Sequence, residues 1–187
     1  MRPVRRPARL RVLEREQVVR APIDATFRFF SEARNLETIT PPWLRFRVVT
    51  PGEIRVATGT TIDYEISTLG LRMRWRSVIE RFEPGVCFVD RMLEGPYRWW
   101  SHFHGFEPHA GGTRLTDRVE YAVPGGPLAP LVHAALVRRR LASIFDFRRD
   151  TIAALDRAGR LGDARVDARA SGAPAAVDAG ATSAAAR

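Results

Sequence analysis

The sequence predicts an α+β architecture, an antiparallel sheet with one long helix laid across one face. Three observations predict it. After Trp43 the chain alternates apolar and polar residues over about six short stretches, the pattern of half-buried strands. Pro- and Gly-bearing turns short enough for hairpins separate these stretches, and hairpins join antiparallel neighbours. The segment from Leu131 to Ala158 then runs without Gly or Pro and carries Val137, Leu141, Ile144, Phe145, Ile152 and Leu155 at helical spacing. A sheet with one charged face must cover its other face, and this helix is the element that can do it.

Residues 1–9 are read as a disordered basic arm, residues 10–157 as one domain and residues 158–187 as a disordered Ala/Gly/Arg-rich tail. Leu10 to Ala21 reads as a first strand. Pro22-Ile23-Asp24 opens a short helix, since Pro suits a first turn and Asp favours the positive end of the helix dipole. Phe27, Phe30 and Ala33 form its apolar side. Asn35 is placed as the cap of a second short helix, Leu36 to Ile39, which Pro41-Pro42 ends. Strands follow at Phe46–Thr50, Thr60–Thr68, Leu71–Phe82, Val86–Leu93, Arg98–Phe106 and Thr113–Val123. The cleanest alternation sets Leu71, Met73, Trp75, Ser77 and Ile79 against Arg72, Arg74 and Arg76, so the arginine face meets solvent. The long helix is expected from Pro127 to about Arg157. Its first half carries a different stripe (Leu128, Leu131, Val132, Ala135, Leu136), rotated by roughly 150° from the second. The helix therefore bends near Arg138–Arg140 or touches two surfaces.

Composition narrows the function. The chain of 187 residues is long enough for a real core, and its net charge is +9. Seven Arg and two Glu fall within residues 1–20, so much of that charge sits on the arm. The arm has no aromatic residue for base stacking, and no nucleic-acid-binding motif appears, so nucleic acid is not an expected partner. No apolar run is long enough for a membrane span or a signal peptide. The single cysteine, Cys87, excludes an internal disulfide, fits a reducing cytoplasm and reads as a small buried hydrophobe. Gly-x-Ser-x-Gly and phosphate-binding glycine motifs are absent.

Four residues break the strand pattern. Asp117 shares the apolar face of the last strand with Leu115, Val119 and Tyr121. Asp90 shares a face with Phe88 and Met92, opposite Cys87, Val89, Arg91 and Leu93, and here the pattern is weaker. His102 and His104 share a face with Trp100 and Phe106, opposite Trp99, Ser101, Phe103 and Gly105, and alternation does not choose between the two faces. If all four polar groups point inward, Asp–His pairing would satisfy them and raise the histidine pKa. Such a cluster can hold strands in register, orient a ligand or move a proton. His-x-His on a strand also has metal-binding spacing, but no third histidine lies nearby; no metal and no cofactor are expected. His109 falls in a turn and His133 in the long helix. Trp43, Tyr64, Trp75, Trp100 and Phe145 are candidates for an aromatic wall between sheet and helix.

Several strings occur in this order: Ile39-Thr40-Pro41-Pro42-Trp43-Leu44, Gly95-Pro96-Tyr97, Trp100-x-His102-x-His104-x-Phe106, Gly112-Thr113 with Asp117, Val119 and Tyr121, and Pro124-Gly125-Gly126-Pro127-Leu128. Over residues 10–157 the chain resembles the SRPBCC superfamily of START-like, polyketide cyclase-like and birch-pollen-allergen-like domains, and in particular a bacterial group of SRPBCC ligand-binding proteins. The resemblance implies a helix-grip fold, in which a curved sheet wraps the C-terminal helix and two short helices follow the first strand. It implies an apolar cavity that takes a lipid, polyketide, quinone or similar small hydrophobic molecule, and a minority of relatives that catalyse cyclisation or dehydration. Similar domains also occur beside an epimerase-like domain in longer chains. The resemblance turns Trp100, His102 and His104 inward, leaving Trp99 and Phe103 on the outer face as a homodimer surface or as a seat for the arm. In the bacterial group the position of Met92 is often Gln, so Met92 would make the pocket more apolar. The expected ligand-binding set is Tyr64, Trp75, Asp90, Met92, Trp100, His102, His104, Asp117, Leu141 and Phe145. Asp90, His102, His104 and Asp117 are the catalytic candidates if the chain is an enzyme of cyclase or dehydratase type. A third reading is an interaction module with a collapsed cavity.

Overall fold

The computed structural model describes residues 6–68, 70–126, 130 and 133–163. The expected disordered ends at 1–5 and 164–187, the helix start at Pro127 and the apolar positions Leu128, Leu131 and Val132 lie outside the described residues. Strand β1 (Arg11–Val19) leads into helix α1 (Ile23–Ser31) and two 3-10 turns, Ala33–Glu37 and Pro42–Leu44. Then come β2 (Arg47–Val48), β3 (Thr61–Thr68), β4 (Leu71–Glu83), β5 (Cys87–Glu94), β6 (Trp99–His109) and β7 (Gly112–Ala122). A π-helical turn, His133–Val137, runs into helix α2 (Arg138–Arg157). All seven strands form one antiparallel sheet in the order β1-β7-β6-β5-β4-β3-β2. The architecture is the α+β layout that the sequence pattern predicts, in the helix-grip arrangement that the resemblance implies.

Register shifts break the β4–β5 ladder between Arg76 and Ser77 and between Ile79 and Arg81. Extra residues on one strand bend and twist it, so these irregularities curve the sheet. Helix α2 lies against the curved face and is tied to β1 at several points. The carboxylate of Asp156 accepts the backbone N–H groups of Arg20 and Ala21 at 3.0 Å. Gln17 Nε2 donates to the Arg149 carbonyl at 3.0 Å. Both ties hold the last turns of α2 across the start of the sheet.

The π-helical turn falls where the two sequence stripes change phase. Widening a turn by one residue rotates the face that follows it. Tyr121 Oη and His133 Nε2 share a hydrogen bond at 2.8 Å, which anchors this turn on β7. Burial, with Arg11 and Arg138 nearby, lowers the His133 pKa and favours the neutral imidazole. At its other end α2 closes with Gly159 at φ 69°, Gly159 N–H on the Asp156 carbonyl and Arg160 N–H on the Leu155 carbonyl. This is a Schellman arrangement, and it folds Leu161 back onto the core. Leu161 is buried at 1% exposure beside Leu155 and Ile152, so ordered packing extends past the tail boundary read at 158.

The second short helix differs from expectation. Its 3-10 turn begins at Ala33, and the cap is the Glu32 carboxylate, which accepts from Arg34 N–H at 3.0 Å. Asn35 lies within the turn, 1% exposed, and its Nδ2 donates to the Phe29 carbonyl. Cys87 is buried at 2% exposure, as its strand position predicts. At the β6–β7 turn a Cβ on Gly112 would run into the backbone of Val19 and Arg20. Gly112→Ala is expected to lower stability by about 1–3 kcal/mol through this overpacking. A urea midpoint equal to the wild type would show that the backbone there yields freely. Among the described residues no helix is long and apolar enough to cross a membrane.

Candidate functional site

The sheet register builds the site. Directly opposite residues of antiparallel strands share a face. Asp90 on β5 is opposite His102 on β6, and His104 on β6 is opposite Asp117 on β7. The two acids and two imidazoles therefore meet on the inner face, which settles the two strands that alternation leaves open. The short contacts run along the diagonals. His102 Nε2 is 2.9 Å from Asp117 Oδ1, and His104 Nε2 is 3.0 Å from Asp90 Oδ2. The longer contacts complete a ring, with His104 Nδ1 3.2 Å from Asp117 Oδ1 and His102 Nδ1 3.7 Å from Asp90 Oδ2. The two imidazole rings lie 3.7 Å apart between centroids, and Phe88 stacks on His104 at 4.1 Å.

A fifth member comes from the helix, and the sequence reading missed it. Arg148 on α2 is buried at 6% exposure. Its Nε lies 3.3 Å from Asp117 Oδ2, an ion pair that is not aligned as a hydrogen bond. Its Nη2 is 3.3 Å from His104 Nδ1, and its guanidinium sits over the Phe30 ring at 5.3 Å. A signal for it exists. Position 148 falls on the stripe of Leu141, Ile144, Phe145, Ile152 and Leu155, where a charged residue must point inward.

Burial and pairing set the charges. Burial pushes the Asp117 carboxyl up, but the Arg148 charge and the bonds from His102 and His104 overcome it and hold the group well below the usual carboxylate range. Burial raises Asp90 likewise, and the bond from His104, with His102 and Arg148 nearby, brings it below its ordinary value. His102 goes the other way from the expectation that carboxylate pairing raises it. Burial, followed by the neighbouring His104, outweighs the bond to Asp117 and takes its pKa from 6.5 to about 4. At neutral pH His102 is therefore an uncharged imidazole. With Nε2–H donating to Asp117, its Nδ1 presents a lone pair.

A cavity of about 450 Å³ lies between the curved sheet, α2 and the first 3-10 turn. Tyr64, Trp75, Trp100, Leu141 and Phe145 line it as expected, and Asp90, His102 and His104 form its polar end with Arg148. Trp75 stands edge-on to Trp100 at 5.2 Å, while its Nε1 donates to Ser77 Oγ at 2.9 Å. Burial raises the Tyr64 hydroxyl pKa, so it stays protonated. Three residues expected at the cavity are not on its wall. Met92 is buried in a core cluster with Trp100, and its sulfur is folded against Gly95. Its apolar character therefore fills the sheet's inner layer, not the ligand space. Asp117 lies behind the imidazoles and supports them. Trp43 is 47% exposed and packs edge-on to Phe147, since the Pro41-Pro42 segment carries it outside. On the outer face Trp99 and Phe103 are half-buried. Arg91 lies over the Trp99 ring at 5.9 Å, and Arg6 from the arm donates to Glu120 at 2.8 Å. Glu120 pairs with Ser101, so the arm reaches the sheet between those two aromatics.

No curated protein sequence matches the chain. Among solved structures it is similar to the Zhui aromatase/cyclase of Streptomyces sp. R1128, at 20% identity and TM-score 0.56 over 89% of this chain and 100% of that one. It is similar to the protein Ms6760 of Mycobacterium smegmatis, at 17% identity and TM-score 0.59 over 81% and 98%. It is also similar to part of a nucleoside-diphosphate sugar epimerase of Corynebacterium glutamicum, at 20% identity and TM-score 0.55 over 79% of this chain and 30% of that one. At these identities the likenesses show the fold alone. The family model for "Polyketide cyclase / dehydrase and lipid transport" matches residues 19–145, more than half of the chain. With a seven-stranded sheet gripping α2 around a cavity, the chain belongs to this family, within the SRPBCC superfamily.

Proposed function

We propose that this protein binds a small hydrophobic molecule non-covalently in the cavity, with the molecule's polar group set against Asp90, His102 and Arg148. The observation that carries this reading is the shape and chemistry of the cavity. A space of about 450 Å³ walled by aromatic and aliphatic side chains, with polar groups gathered at one end, suits a molecule of a few fused rings or a folded chain. The open cavity argues against an interaction module with a collapsed interior. The Asp90 carboxylate and the lone pair on His102 Nδ1 both accept, while Arg148 donates, so a phenol, enol or carbonyl oxygen has partners there.

Native mass spectrometry of the protein purified from its own host tests the reading, with a co-purifying small organic molecule as the expected result. Leu141→Trp, which fills the cavity from the helix side, is expected to weaken binding of that molecule more than tenfold while circular dichroism keeps the fold. Unchanged binding in this variant would place the molecule elsewhere and overturn the proposal. A cyclase or dehydratase activity is the alternative, favoured by an uncharged His102 imidazole among the residues that line the cavity. It requires turnover that Asp90→Asn or His102→Gln abolishes, whereas a carrier loses only affinity.

A further inference from the structure

The polar end of the cavity brings two carboxylates, two imidazoles and one guanidinium into contact. Asp90, His102 and His104 also bring three ligand-type atoms within 4.8 Å of one another at the cavity surface. We propose that these three residues form a site for one divalent first-row transition metal, with Asp117 as the shared hydrogen-bond partner of both imidazoles.

The spacings fit. Two ligand atoms bound at right angles to such a metal stand about 3 Å apart, and at wider angles somewhat more. His104 Nε2 is 3.0 Å and His102 Nδ1 3.7 Å from Asp90 Oδ2. The remaining nitrogen of each ring turns to the same oxygen, with His102 Nε2 at 2.9 Å and His104 Nδ1 at 3.2 Å from Asp117 Oδ1. Metal-bound histidines commonly donate their other N–H to a carboxylate in this way, which fixes ring and tautomer. His102 already has that tautomer. His104 reaches it by carrying its proton on Nδ1, where Asp117 accepts, freeing Nε2 for the metal. Arg148 Nη2, now 3.3 Å from that Nδ1, then pairs with Asp117 alone, to which its Nε already points. Two imidazoles and one carboxylate leave positions open toward the cavity, where an oxygen of a bound molecule can complete the coordination.

Metal binding needs no organic ligand, so its outcome is independent of the carrier reading. The test titrates chelator-treated protein with Co²⁺, followed by its visible absorption, and with Zn²⁺ by calorimetry. One site per chain is expected. His102→Ala and His104→Ala should each weaken it by more than about 100-fold, and Asp117→Asn by about 10–100-fold. His109→Ala, outside the cluster, should leave affinity unchanged. Imidazole NMR of the wild-type protein gives a readout that survives a misfolded variant, because Zn²⁺ should shift two of the four histidines. Affinity weaker than about 1 mM, unshifted imidazoles or binding retained in both alanine variants would overturn the site.

Discussion

Arg148→Met is expected to cost about 3–5 kcal/mol of folding stability, the largest single loss outside the hydrophobic core. Methionine keeps most of the side-chain volume on α2, so packing against Phe30 is largely preserved. What disappears is the cation 3.3 Å from Asp117, whose carboxylate is then buried with only the imidazole bonds to hold its charge. Asp117→Asn in the same background removes that charge and should recover a substantial part of the loss. A double-mutant cycle by urea denaturation measures the coupling. Additive effects of the two substitutions would mean that the ion pair is not the reason an arginine sits on the apolar stripe.

Stability should also fall steeply in mild acid. His102 has its pKa taken from 6.5 to about 4 in the fold. Below 6.5 the unfolded chain takes up a proton that the folded chain refuses, so this contribution is complete above about pH 7 and erodes as pH falls toward 4. The loss is on the order of 3 kcal/mol across that window. His104 on the same strand, Asp90 on β5 and Asp117 on β7 face the ring, with Arg148 of α2 behind Asp117. Both acids have folded values below their ordinary ones, so their contributions are present above about pH 4 and are lost only beneath it. Urea unfolding of chelator-treated protein at pH 7, 5.5 and 4.5 checks this, with His102→Gln expected to flatten the slope. A slope that persists in the variant would assign it to another group.

The sheet and its covering helix were legible because both are written as periodicity. Alternation along β4 and β7 names their inner faces, and the stripe from Leu141 to Leu155 names the buried side of α2. The inward Asp90, His102, His104 and Asp117 were legible as violations of that periodicity. Arg148 was not singled out, although it violates the same rule on the helix. What no linear pattern carries is distance across strands. The drop in the His102 pKa depends on how completely the helix seals the cluster, and pairing chemistry alone gives the opposite sign. The positions of Met92 and Trp43 turn on side-chain direction and on the path after Pro41-Pro42, neither of which has a period.

The cluster bears on how the chain finds its alignment. β6 offers two plausible faces, Trp100-His102-His104-Phe106 and Trp99-Ser101-Phe103-Gly105, and a slip of one residue against its neighbours exchanges them. Greasiness scarcely separates the alternatives, since each would bury large aromatics. In the slipped pairing, however, Asp90 and Asp117 would face Ser101 and Phe103 in the interior, without an imidazole between them. The four polar groups thus act as a lock and key between three adjacent strands, rejecting the misaligned sheet by the repulsion of two stranded acids.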